Sequence, residues 1–80
     1  REVIMKSIDF YVSNAKVIEP ACELGRYSWP FRKMDVDDSV LIVGDAAIKS
    51  QVAAFVCGRQ IGFSFISRST RDGMLIARVA

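Results

Sequence analysis

Asp38-Ser39-Val40-Leu41-Ile42-Val43-Gly44-Asp45-Ala46-Ala47-Ile48-Lys49-Ser50-Gln51-Val52-Ala53-Ala54-Phe55-Val56-Cys57-Gly58 contains the transition that decides the fold. The run Val40 to Val43 is short, wholly apolar and rich in β-branched residues, which suits a central strand covered on both faces. Gly44 closes it. Asp45 is placed to cap a helix, because its carboxylate can accept a hydrogen bond from a free first-turn amide at the positive helix end. The spacing predicts a helix over about 46–57: Ile48, Val52, Phe55 and Val56 fall at i, i+4, i+7 and i+8, a stripe expected to face a sheet. Lys49, Ser50 and Gln51 are expected to face water. Ala46, Ala47, Ala53 and Ala54 favour the helix, and Gly58 is expected to end it in a left-handed conformation.

On the C-terminal side, Ile61, Phe63 and Phe65 alternate with Gly62 and Ser64, predicting a strand to about Arg68. Ser69 to Gly73 supplies turn chemistry through Asp72-Gly73, and Met74 to Val79 reads as the returning strand of a hairpin. On the N-terminal side, Ile4, Ile8, Phe10 and Val12 share one parity, which predicts a strand over Val3 to Val12 with one buried face. Between Asn14 and Pro30 no period persists, and Pro20, Gly25 and Pro30 punctuate a long connection with room for a short strand or turn. The order β, long connection, β, α, β, β predicts a single α+β domain over residues 1–80. Its expected architecture is an antiparallel sheet of about four strands with one helix packed on a face. An 80-residue chain has no room for a second core.

The composition excludes several classes of function. The residues are 51% apolar and 25% charged, a globular balance and not a disordered one. Apolar runs such as Val40–Val43 and Ala53–Cys57 are far too short to cross a bilayer, so no membrane association is expected. Lys6 and Asp9 interrupt the first apolar stretch, so no secretory signal is expected in it. Cys22 and Cys57 match neither a disulfide framework nor a zinc spacing, and read as free thiols of a reducing, cytoplasmic setting. The chain has no histidine, which removes His-based acid–base catalysis, Ser-His-Asp and Cys-His pairs, and imidazole metal ligation. Asp35, Asp37 and Asp38 cluster before a strand without a glycine-bearing calcium loop, and read as turn residues that accept amide hydrogen bonds. Gly58, Gly62 and Gly73 fit no phosphate loop. No catalytic residue, metal or cofactor is therefore expected.

Charge is unevenly divided. Through Asp45 there are six basic and eight acidic residues, whereas from Ala46 onward there are five basic residues and one acidic. A basic C-terminal half implies an anionic partner. Arg26-Tyr27-Ser28-Trp29-Pro30-Phe31-Arg32-Lys33 places three aromatics and three cations in eight consecutive residues. Aromatic faces stack on unpaired bases while cations neutralise phosphates, the combination that single-stranded nucleic acid requires. The competing reading is that Trp29 and Phe31 dock this segment onto the core, with Phe31 the stronger core candidate. Arg68 and Arg71 at the hairpin, with Lys49 and Arg59 on or after the helix, extend the basic set.

Tyr27, Pro30-Phe31, Lys33-Met34, Val36 and Asp38-Ser39, followed by an apolar strand, resemble the Tyr-Pro-Phe-x-Lys-Met-x-Val-Gly-Asp-Ser opening of small proteins encoded by bacteriophages and mobile elements. The resemblance runs to about Val79 through an Ala-rich helix and an Arg-containing hairpin. This chain departs from it at Asp37, which stands in place of the glycine, and at Trp29, which precedes the proline. No biochemical activity attaches to that family. The resemblance implies a mobile-element origin and an accessory role.

The sequence thus leads to a small non-enzymatic nucleic-acid-binding protein, an accessory or regulatory factor of phage or plasmid type, with DNA ahead of RNA as partner. Arg26, Arg32, Lys33, Lys49, Arg59, Arg68 and Arg71 are the expected phosphate contacts, and Tyr27 and Trp29 the expected base-stacking residues. The alternative is a protein-interaction module, either a homo-oligomer or an inhibitor of a host protein. It rests on an apolar fraction that so small a core does not fully bury.

Overall fold

The computed structural model of the chain describes residues 6–80. Helix α1 (Ile8–Asn14) leads into strand β1 (Lys16–Ile18), then a hairpin of β2 (Cys22–Glu23) and β3 (Arg26–Tyr27). A 3-10 turn at Phe31–Lys33 precedes β4 (Ser39–Ile42), and a second at Gly44–Ala46 precedes helix α2 (Ala47–Ile61). Strands β5 (Phe65–Ser69) and β6 (Met74–Arg78) complete the fold. The main sheet has the order β1-β4-β6-β5, and β2 and β3 form a separate ribbon.

The α+β class, the four-stranded sheet, the helix between β4 and β5, and the C-terminal hairpin are as expected from the sequence. The sheet is mixed: β4–β6 and β5–β6 are antiparallel, whereas β1 pairs in parallel with β4, Lys16 beside Val40 and Ile18 beside Ile42. The parallel strand arises within the stretch read as a long connection.

The largest correction is at the N-terminus. Residues 3–5 of the expected Val3 to Val12 strand lie outside the described residues, and Ile8 onward is helical. Ser7 is the N-cap, its hydroxyl accepting from the Phe10 amide at 3.2 Å, a local signal that competes with the alternating parity. The inward positions follow the helical spacing Ile8, Tyr11, Ala15, and Phe10 and Val12, two of the residues on the expected buried face of the strand, are exposed.

The sheet has a core on each face. Toward α2 lie Phe31, Met34, Val40, Ile42, Ala54, Phe65 and Ile76; toward α1 lie Tyr11, Leu75, Ala77 and Val79. Strand alternation makes this possible, since Ile76 faces α2 while its neighbours Leu75 and Ala77 face α1. None of the helices among the described residues is long and apolar enough to cross a membrane.

Helix α2 differs from expectation at both ends and in its orientation. Gly44–Ala46 is already a 3-10 turn and Ala46 is helical, so Asp45 is no cap: no extended residue holds a side chain over the first amides. Gly58 lies inside the helix and Gly62, at φ +79°, terminates it. Gly58 is required by close packing, because a Cβ there would sit 2.6 Å from the Phe63 carbonyl oxygen and 3.1 Å from the Phe65 ring. The helix rests on the sheet through its small residues Ser50, Ala54 and Gly58, all buried. Ser50, expected in water, is enclosed, and its hydroxyl donates to the Ala47 carbonyl at 2.7 Å. The stripe expected to face the sheet points away from it.

Candidate functional site

Ile48, Val52, Phe55 and Val56 lie on the side of α2 opposite Ser50, Ala54 and Gly58, and are 85%, 66%, 43% and 50% exposed. Four large apolar side chains thus share one outward helical face, the kind of exposed apolar patch that can mark an interface.

Beside this face stands the aromatic-basic segment. Its rings form a continuous series: Tyr27 and Trp29 at 5.2 Å between centroids, Trp29 and Phe31 nearly parallel at 5.5 Å, Phe31 and Phe65 at 5.7 Å, and Phe65 and Phe63 at 6.2 Å. The Arg78 guanidinium closes the series 3.4 Å from the Phe63 centroid, and Nη1 donates to the Met34 carbonyl at 2.8 Å. Phe31 is fully buried, and Trp29 and Tyr27 are half-buried against the core. The series pins the 26–31 segment alongside α2, where it forms one wall of a groove.

That groove, of about 660 Å³, is lined by Gly25, Arg26, Tyr27, Trp29, Ile48, Lys49, Val52 and Ala53. The Lys49 ammonium lies 5.8 Å from the Tyr27 ring centroid, a cation held over an aromatic face. A second hollow of about 440 Å³ continues past Trp29 to Arg32, Val56 and Cys57, and a third holds Phe55, Arg59 and Phe63. Arg32 Nη2 donates to Gln60 Oε1 at 3.3 Å, tying the loop to the helix.

Six of the nine residues singled out from sequence, Arg26, Tyr27, Trp29, Arg32, Lys49 and Arg59, therefore border this face. The other three do not. Lys33 lines a separate cleft with Lys16, Asp37 and Asp38. Arg68 follows Ile66 in the β5 alternation and so belongs to the α1 side of the sheet, and Arg71 is exposed in the turn between β5 and β6. Sequence reasoning missed Ile48, Val52, Phe55 and Val56 as surface residues. The signal that identifies them is the line of small residues Ser50, Ala54 and Gly58 at four-residue spacing, which marks the side of the helix that approaches the sheet.

The acidic cluster is engaged in structure. Asp38 Oδ2 accepts from the Asp35 amide at 2.9 Å, and Asp37 Oδ1 accepts from the Tyr11 hydroxyl at 2.9 Å. The Tyr11 pKa is raised, first by burial and then by the hydrogen bond to Asp37. Cys22 is exposed and Cys57 half-buried, both as free thiols.

Leu24 also stands out. It is fully exposed at the tip of the β2–β3 hairpin, with φ +52°, and is followed by Gly25 at φ +78°. Positive φ at both central residues is what a two-residue type I′ hairpin turn requires, but Leu is poorly suited to the first position. Comparison with protein-family models, with curated proteins and with solved structures yields no match, so the reading of this face rests on its own chemistry.

Proposed function

We propose that this chain is a non-enzymatic protein-interaction module that captures its partner on the outer face of α2. The carrying observation is the exposure of Ile48, Val52, Phe55 and Val56 on a helix whose opposite side is fully seated on the sheet. Full burial of such a side chain is worth about 1.5–3 kcal/mol, and these four, 43–85% exposed, retain part of that to gain when covered. The half-buried aromatics at the wall supply the rigid, large contact surfaces that binding centres favour. Such a role fits an accessory factor that acts on a host protein.

The nucleic-acid partner expected from the sequence draws on Arg26, Arg32, Lys49 and Arg59, which border the same face. The protein reading is preferred because Trp29 is packed between Tyr27 and Phe31, and because the most exposed feature is aliphatic. The test is a random-peptide display library selected against the wild-type chain and against an Ile48→Ser/Val52→Ser variant. Enriched peptides that bind wild type about tenfold or more tighter than the variant support the module, a difference of about 1.4 kcal/mol. Enrichment indifferent to those two residues refutes it.

A further inference from the structure

The charged residues that line the apolar groove and its two neighbouring hollows carry one sign. Arg26 and Lys49 line the groove, Arg32 lines the hollow past Trp29, and Arg59 lines the hollow beside Phe55. No aspartate or glutamate lines any of the three. Asp45 is exposed one turn before Lys49 and Glu23 pairs across the hairpin with Arg26, but neither lines the groove itself, whose charged lining is Arg26 and Lys49. Covering such a rim with a neutral partner desolvates the charges without compensation, whereas carboxylates placed opposite them compensate the loss and steer the approach.

The shape and the charge together select among occupants. A second copy seated about a two-fold axis would bring the same groove to both sides of the interface, with Arg26 and Lys49 on each side and no acidic lining to answer them. A flat bilayer does not fill a groove walled on one side by the β2–β3 hairpin and Trp29 and on the other by α2. A phosphate backbone would satisfy the cations and leave the aliphatic stripe uncovered. An amphipathic helix satisfies both, with its apolar side chains following the about 12 Å from Ile48 to Val56 and its acidic flanks meeting the rim. Leu24 is a further, independent pointer. It precedes Gly25, which lines the groove, and itself lines the adjoining hollow with Glu23, Arg26 and Tyr27; it is a fully exposed apolar side chain held in the left-handed region.

We propose that the occupant of the groove between the β2–β3 hairpin and α2 is an acidic amphipathic helix, bound by Ile48 and Val52 on one wall, Trp29 on the other and Arg26 and Lys49 at the rim, with Leu24 at the hairpin tip meeting its end. This rests on the interaction-module reading above. The probes are a labelled helical peptide of about 14 residues with leucines at i, i+4, i+7 and i+11 and glutamates flanking them, and its counterpart with every glutamate replaced by lysine. An oligothymidine of about 20 nucleotides and vesicles containing phosphatidylglycerol complete the set. Anisotropy is read against the wild type, I48S/V52S, R26E/K49E and L24N, each first shown folded by circular dichroism. The glutamate peptide is expected to bind wild type about tenfold or more tighter than the lysine peptide, with R26E/K49E inverting that order and L24N weakening it several-fold. Equal binding of both peptides, lost in I48S/V52S, overturns the acidic partner and leaves the module standing. No binding of either peptide up to millimolar concentration overturns both. Tighter binding of the oligonucleotide or the vesicles, indifferent to I48S/V52S, overturns both in favour of that surface.

Discussion

The Tyr11 hydroxyl donates to Asp37 Oδ1 at 2.9 Å and joins α1 to the loop that enters β4. Asp37 sits at φ +71°, a conformation that suits glycine and that Asp tolerates, and its amide donates to the Arg78 carbonyl at 2.7 Å. One residue thus ties α1, the β4 entrance and the end of β6. Tyr11→Phe is expected to cost about 1–3 kcal/mol in urea unfolding, because it removes the bond donated to the Asp37 carboxylate and the one accepted from the Lys6 amide at 3.3 Å. Asp37→Ala is expected to cost more, because it also places a Cβ-bearing residue without a compensating polar contact in the left-handed region at about 1 kcal/mol or above. An equal loss for both would mean that the backbone conformation carries no penalty.

The same pair gives a pH dependence. Burial first, and the hydrogen bond to Asp37 second, raise the Tyr11 pKa in the folded state. Above the ordinary tyrosine value of about 10 the unfolded chain releases this proton before the folded one does, so stability falls as pH rises. The contribution is complete below that value and is lost as pH climbs through the folded-state value. The stability gap between wild type and Tyr11→Phe is therefore expected to be constant near neutrality and to narrow above about pH 10. A gap that widens there would contradict the assignment.

Orientation of α2 is tested by two substitutions of opposite kind. Gly58→Ala puts a methyl against the Phe63 carbonyl and the Phe65 ring, and is expected to destabilise by about 1–3 kcal/mol, the usual cost of overpacking. Val52→Ser removes a side chain that is 66% exposed and is expected to change stability by less than about 0.5 kcal/mol. A helix turned the other way would reverse the ranking.

That reversal is also where the sequence is hardest to read. Ile48, Val52, Phe55 and Val56 satisfy every criterion for a buried stripe, and hydrophobicity alone assigns them to the core. What overrides it is distance. Phe31, Phe65 and Ile76 already fill the space over the sheet, so the helix comes close only through Ser50, Ala54 and Gly58. The strands β4 and β6 were legible because their apolar runs are short and bounded by Gly44 and Asp72-Gly73. Helix α1 was not, because seven residues hold too few turns for its period to outweigh an alternation of Ile8, Phe10 and Val12. Of the candidate residues, those on the 26–32 segment and α2 share a face because the ring series lays that segment along the helix. Lys33, Arg68 and Arg71 were grouped with them by charge, which carries no information about side.

Leu24 is expected to trade stability for binding. Leu24→Asn places a residue that tolerates positive φ in a turn that demands it, and is expected to raise stability by about 1 kcal/mol. The same change removes an apolar anchor. Higher thermal stability together with weaker peptide binding is the expected pair of results, and a gain in both would remove Leu24 from the interface.

Trp29 is the only tryptophan, half-buried in the wall of the groove, and its emission reports occupancy directly. The decisive measurement is titration of the wild-type chain and of I48S/V52S with the glutamate-flanked peptide, following Trp29 emission. A saturable change in the wild type that moves to about tenfold higher peptide concentration in the variant is the expected result. Identical titrations, or no change in either, would contradict the assignment of the outer face of α2 as the docking surface.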